Sequence, residues 1–215
     1  VNLTNIKILE QNITLLYESI DPKDVDTRGL KTMLKVPVQV VDTPEMILAI
    51  YPVGPTIIQI ADNRIRITLQ KETGDLNNVG SDQKGLHLWK MALEAHRTLD
   101  KPNLIAYGFN YRVGVTIVEG EATTLLNNKF MLNVSAVSEA LQAEKVQITP
   151  RVKYHRGETE YDLILEALDE KKAGVHFNAH FKESAFPAQK VLQTSFRNEF
   201  AYLILSLQNM FQGEG

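Results

Sequence analysis

The residues of this chain whose types and spacing could do chemistry fall mainly in two stretches, YGFNYRVGVTI at 107–117 and AGVHFNAHF at 173–181. In the first, odd positions run Tyr107, Phe109, Tyr111, Val113, Val115, Ile117, and Asn110 and Arg112 occupy the other face. In the second, His176, Asn178 and His180 alternate with Val175, Phe177, Ala179 and Phe181. Alternation with period two is the mark of a strand. If the two polar faces adjoin, Asn110, Arg112, His176, Asn178 and His180 line one groove. Two amides, a guanidinium and two imidazoles would then hold a small ligand by hydrogen bonds. The alternative is that the same residues form the solvent face of an antiparallel sheet, where polar alternation is ordinary.

The other chemical candidates are weaker. His176 and His180 are four apart, a helical metal-ligand spacing, but in a strand that spacing separates them by about 13 Å, too far for one ion. His87, His96 and His155 stand singly, so no metal site is expected. The carboxylates of ETEYDLILEALDEKK, from Glu158 onward, alternate opposite basic residues and read as exposed cross-strand pairs. The chain has no cysteine, hence no thiolate nucleophile and no disulfide. Phosphate loops, dinucleotide fingerprints, Gly-x-Ser-x-Gly elbows and His-Glu-x-x-His helices are all missing from the sequence. No cofactor is expected, and a non-enzymatic role is favoured over an enzymatic one.

The elements that must position these residues follow from pattern. Residues 3–20 read as a strand, and Asp21-Pro22 opens a helix expected over 22–35. Short strands are expected at 37–41 and 45–51. TIIQIADNRIRITLQ is a hairpin in which Asp62-Asn63 forms the turn, Ala61 faces Arg64, Ile60 faces Ile65, Gln59 faces Arg66 and Ile58 faces Ile67. Residues 82–99 read as a helix with a wide apolar face that takes Trp89 into the core, an exposed anchor for a partner being the alternative. A long strand follows at 104–118, bent or bulged at Gly108 and Gly114. Helices are expected around 122–132 and 135–143.

A second hairpin spans 145–168. With Arg156-Gly157 as its turn, His155 faces Glu158, Lys153 faces Glu160, Arg151 faces Asp162 and Val152 faces Tyr161. After the strand carrying the histidines, Pro187 opens a long helix striped by Leu192, Phe196, Phe200, Leu203, Leu207 and Met210. The fold class is therefore α+β, an antiparallel sheet with long helices packed on one face. Hairpin followed by helix occurs twice, so one domain over 1–215 and two pseudo-repeats at 1–100 and 101–215 are both open.

The chain has 215 residues, 23 basic and 26 acidic side chains, and a net charge of −3. So even a balance argues against a nucleic-acid partner. The apolar run AYLILSL at 201–207 is too short for a membrane span. The N-terminal VNLTNIKILEQ lacks the basic start and apolar core of a signal peptide, which makes the cytoplasm the expected location, while the missing initiator Met leaves a trimmed start open.

IIQIADNRIRITLQ, the helix with LWKMALEAH and the strand LIAYGFNYRVGVTI together resemble a sporadically distributed, functionally uncharacterised family of bacterial proteins. The resemblance covers about residues 56–118 and rests on Gln59, Asp62, Arg64, Asn110 and Tyr111; it implies no catalytic residues. A more distant likeness, of architecture alone, is to SecB-type export chaperones, which bind extended apolar polypeptide. The expected function is a cytoplasmic binding or assembly protein with a protein partner, or a homodimer joined through sheet edges or the C-terminal helix. A small-molecule-binding protein or enzyme using the polar groove is the alternative.

Overall fold

A computed structural model of the chain describes residues 3–32, 38–51, 56–81, 86–100, 102–131 and 133–212. Nine described strands make one antiparallel sheet: β1 (Leu3–Tyr17), β2 (Gln39–Asp42), β3 (Ile47–Tyr51), β4 (Thr56–Ala61), β5 (Arg64–Leu69), β6 (Leu104–Ile117), β7 (Arg151–Arg156), β8 (Thr159–Asp169) and β9 (Lys172–Phe181). Their order is β2-β3-β4-β5-β1-β6-β9-β8-β7. The two longest strands, β1 and β6, thus pair at the centre, with a meander running outward from each. Helices α1 (Thr27–Thr32), α2 (Leu88–Arg97), α3 (Ala122–Phe130), α4 (Val134–Ala140) and α5 (Gln189–Gln212) complete an α+β fold.

The first hairpin has the register that its sequence requires, with Ala61 opposite Arg64, Gln59 opposite Arg66 and Ile58 opposite Ile67. Asp62 and Asn63 adopt φ of 50° and 59°, the left-handed pair that fits a two-residue turn to the twist of its strands. Asn63 also ties the turn to the chain after β1, since its Oδ1 accepts from the Ile20 amide at 3.0 Å.

The second hairpin differs from expectation by two residues. Arg156 faces Thr159, His155 faces Glu160, Lys153 faces Asp162 and Tyr154 faces Tyr161, so Gly157 and Glu158 form the turn. Gly157 sits at φ 59°, where a glycine is least strained. A two-residue slip leaves every side chain on its own face, which is why alternation alone does not choose between the registers. The observed one stacks Tyr154 on Tyr161 with centroids 5.0 Å apart, while Arg151 still reaches Asp162 diagonally. The first arm is also shorter than expected, because β7 begins only after Pro150, which has no amide to donate.

The glycines of β6 do not bulge it. Its ladder with β9 is uninterrupted from Tyr107–Phe181 to Thr116–Lys172. The β1–β6 ladder is irregular at three other places: β1 carries an extra residue between Thr4 and Lys7 and again between Ile8 and Glu10, and β6 carries one, Ile105, where Leu16 pairs with Ala106 and Tyr17 with Leu104. Asn5 takes φ 49° at the first of them. Leu9, the extra residue at the second, lies over Gly114, where an added Cβ would be 3.4 Å from its Cδ1.

Among the described residues only α5 is a long helix. The segment expected as a helix over 82–99 is helical only from Leu88, after His87 in extended conformation, and residues 82–85 lie outside those described. The segment from Asp21 is a short 3-10 turn at Pro22–Asp24 followed by α1, and residues 33–35 of the expected helix lie outside those described. Asp21 caps as its type requires, accepting from the Lys23 amide.

Much of the core lies between the sheet and helices α2 and α5. Trp89 is buried, tilted against Phe196 of α5 at 6.3 Å. Phe196 meets Phe109 edge-on at 5.2 Å, and Tyr111 donates its hydroxyl to the Phe196 carbonyl. Leu192, Phe196, Phe200, Leu203 and Leu207 are all buried, and Phe211 rather than Met210 ends the stripe. Such aromatic pairs add about 0.5–1.5 kcal/mol each beyond the area they bury.

Candidate functional site

With the aromatic side chains of β6 turned to the core, its polar residues face the opposite surface, and the strand register joins them to those of the neighbours. Asn12 of β1, Asn110 of β6 and Asn178 of β9 are successive cross-strand partners, continued by Asp162 of β8. Asn110 Nδ2 donates to Asn12 Oδ1 at 2.8 Å, and the Thr14 hydroxyl donates to the same oxygen at 3.2 Å. The result is a row of amides across three adjacent strands, fixed by backbone register rather than by loops.

An open depression of about 400 Å³ lies over this row, lined by Asn110, Arg112, His176 and Asn178 together with Glu10, Asn12, Arg66 and Asp162. A smaller one of about 250 Å³ adjoins it, shares Asn110, Asn178 and Arg66, and adds Arg64, Thr14, Gly108 and His180. All five residues expected to line a groove are therefore on one continuous surface. Arg112 faces His176, and Gly108 faces His180, across the β6–β9 pair. His176 and His180 lie along one strand, and among the described residues no three histidine or acidic side chains converge as metal ligands.

Most acids of this surface are already engaged. Glu166 accepts from His176 Nε2 at 2.9 Å and lies 3.7 Å from the Arg112 guanidinium. Gly174 makes that reach possible, because a Cβ there would stand 2.9 Å from Glu166 Oε1. Asp162 accepts a bidentate pair from Arg151, and the hydrogen bond from that guanidinium holds its carboxyl below the usual range. Arg64 and Arg66, by contrast, have no ion pair among the described residues.

Sequence reasoning missed Glu10, Asn12 and Thr14, although the signal was present. In LEQNITLLY the polar Glu10, Asn12 and Thr14 alternate with Gln11, Ile13 and Leu15, and the last three are fully buried. Asn12, itself only 7% exposed, is the acceptor that orients Asn110. Arg66 was read only as a hairpin partner of Gln59.

Two further polar clusters sit elsewhere. Ser81 Oγ and His87 Nδ1 are 2.7 Å apart. The nearby space, of about 90 Å³ beside Gln11 and Asp75, has the size of a few water molecules. On α5, Glu199 accepts from the Tyr161 hydroxyl at 3.3 Å while its Oε2 is buried without a partner among the described residues. Burial raises the Glu199 carboxyl and pushes Tyr161 up to about 12.

No family model matches the chain, and no curated protein or solved structure matches it either. Among the described residues, no helix is long and apolar enough to cross a membrane.

Proposed function

We propose that this chain is a non-enzymatic binding protein that holds a polar ligand on the open face of its sheet. The observation that carries the reading is the amide row Asn12, Asn110, Asn178, flanked by Arg66, Arg112 and His176 over a depression of about 400 Å³. Side chains on central strands are held more rigidly than side chains on loops, so the ordering of these donors and acceptors precedes binding. Nothing in the row acts as a nucleophile with an adjacent base, which favours binding over catalysis.

The outward series β5-β4-β3 from β1 and β9-β8-β7 from β6, each followed by a helix, supports a further part of the reading. On it, 1–100 and 101–215 are pseudo-repeats whose helices cover one sheet face. Asn12 and Asn110 are then equivalent positions, and the groove straddles the axis relating the halves.

The test is a thermal-shift and calorimetric screen of neutral and charged sugars, amino acids and nucleotides. A compound that raises the melting temperature of the native chain should lose its effect in Arg112→Gln and Asn178→Ala. Undiminished binding by both variants would remove the groove.

A second reading, docking of a protein partner or a second copy, is favoured by one feature of α5. Ala201, Ile204 and Leu205 border an open groove of about 460 Å³ with Leu76 and Val79, and Leu205 is 54% exposed. The sheet edges favour it less. β2 is four residues long, and β7 carries Arg151, Lys153 and Arg156, charges that discourage strand addition. Light scattering that finds a monomer at high concentration would count against self-association.

A further inference from the structure

Gly108 leaves a gap in the polar face. It stands between Thr14 of β1 and His180 of β9 in one cross-strand row, and Thr14 is in turn opposite Arg66 of β5. Side chains on both flanks and none at Gly108 make a notch, the floor of the depression of about 250 Å³. Glycine within a strand often marks a close approach by a ligand. A Cβ at this position would lie 3.1 Å from the Ala179 carbonyl and 3.3 Å from Asn178 Oδ1, so any larger residue would fill the space from below.

The ionisable side chains that approach the notch from the strands beside it are basic. Arg64 and Arg66 reach it from β5, His180 from β9, and Thr14, Asn110 and Asn178 supply a hydroxyl and two amides. Among the described residues no carboxylate lines it. The nearest acids on neighbouring strands are Glu160, opposite His180 on β8, and Asp162, opposite Asn178 and held by Arg151. Adjacent strands lie about 4.8 Å apart, so the Arg66 and His180 backbones are separated by about 14 Å, a span that the long arginine side chain narrows to the width of a small ion.

We propose that the notch over Gly108 is an oxyanion site, in which Arg64, Arg66 and His180 hold the phosphate or carboxylate group of a ligand. This rests on the polar face being a ligand surface, and it names the charged end of what that surface takes. Two guanidiniums without carboxylate partners among the described residues supply the fork of donors that oxyanions match. The Asn178 and Asn110 amides and the Thr14 hydroxyl complete a set of neutral hydrogen-bonding groups beside the ion.

Titration calorimetry at constant low ionic strength tests it, with sodium phosphate in one arm and sodium acetate in the other. Saturable binding of either ion to the native chain is expected, weakened about tenfold by Arg64→Gln and again by His180→Ala, since each removes a charge-assisted contact. The arm that binds tells phosphate from carboxylate. Both side chains are at the surface, and a melting curve for each variant checks that the fold persists. The absence of saturable binding in both arms, or binding that both variants leave unchanged, would overturn the site. Arg112→Gln separates this from the groove itself, because Arg112 lines only the larger depression. A screened ligand unaffected by Arg112→Gln counts against the groove while phosphate binding lost in Arg64→Gln still establishes the notch.

Discussion

Asn110 donates to Asn12 at 2.8 Å across the two central strands, joining the halves of the sheet through side chains as well as backbone. Asn12 is nearly buried and accepts from Thr14 as well, whereas Asn110 keeps access to solvent. The two truncations are therefore unequal. Asn12→Ala strands two donors and should lower stability by about 1–2 kcal/mol, while Asn110→Ala should lower it by about 0.5–1 kcal/mol. The double variant in urea denaturation should show a coupling of about 0.5–1 kcal/mol. A coupling of zero would mean that the pair contributes nothing to holding the row.

Sequence patterning read this sheet well wherever a local constraint acted. Asp62-Asn63 is a turn whose residue types and two flanking faces agree, so the register of β4 with β5 was legible down to the residue. The β7–β8 hairpin offered two registers of equal facial quality, and the choice came from Gly157 and the Tyr154–Tyr161 stack. Asn110 and His176 were legible as a face, but their partner strand was not. Pairing β1 with β6 brings together residues about a hundred apart, and nothing local encodes which strand fills that place. The bulges at Asn5 and Leu9 were hidden for the same reason. At the second, Gly114 of the partner strand leaves room for Leu9.

Gly80 is the position where a single methyl group should do most damage. Its φ is +75°, and a Cβ would lie 2.3 Å from Trp89 Cζ3 and 3.1 Å from Phe196 Cε1, while its amide donates to Gln11 Oε1 at 2.7 Å. Gly157 shares the left-handed backbone, at φ +59°, but has nothing within 4 Å of its Cβ position. Gly157→Ala should therefore cost about 1 kcal/mol, the left-handed penalty alone. Gly80→Ala adds overpacking against two buried rings and should cost about 2–4 kcal/mol. Chemical denaturation followed by the fluorescence of Trp89 reads both. Equal losses in the two variants would show that the ring of Trp89 yields freely.

Glu199 makes the stability of the fold depend on pH in the sense opposite to a paired surface acid. Burial raises its carboxyl above the ordinary value, and the Tyr161 hydrogen bond and the Arg156 charge only partly oppose that. A carboxyl raised on folding is no burden while protonated in both states. Its contribution is lost as pH rises from the unfolded value, near 4.5, through the folded one. Glu199→Gln removes the charge and keeps the shape, so the variant should gain on the native chain as pH rises above the unfolded value. His96, lowered chiefly by burial, titrates in the other direction and loses stability as pH falls below 6.5. It is common to both chains, so their difference reports Glu199 alone. Parallel urea denaturation of the two chains at pH 4, 5, 6 and 7 checks the trend. A difference that stays flat would mean that the Glu199 carboxylate is as well solvated folded as unfolded.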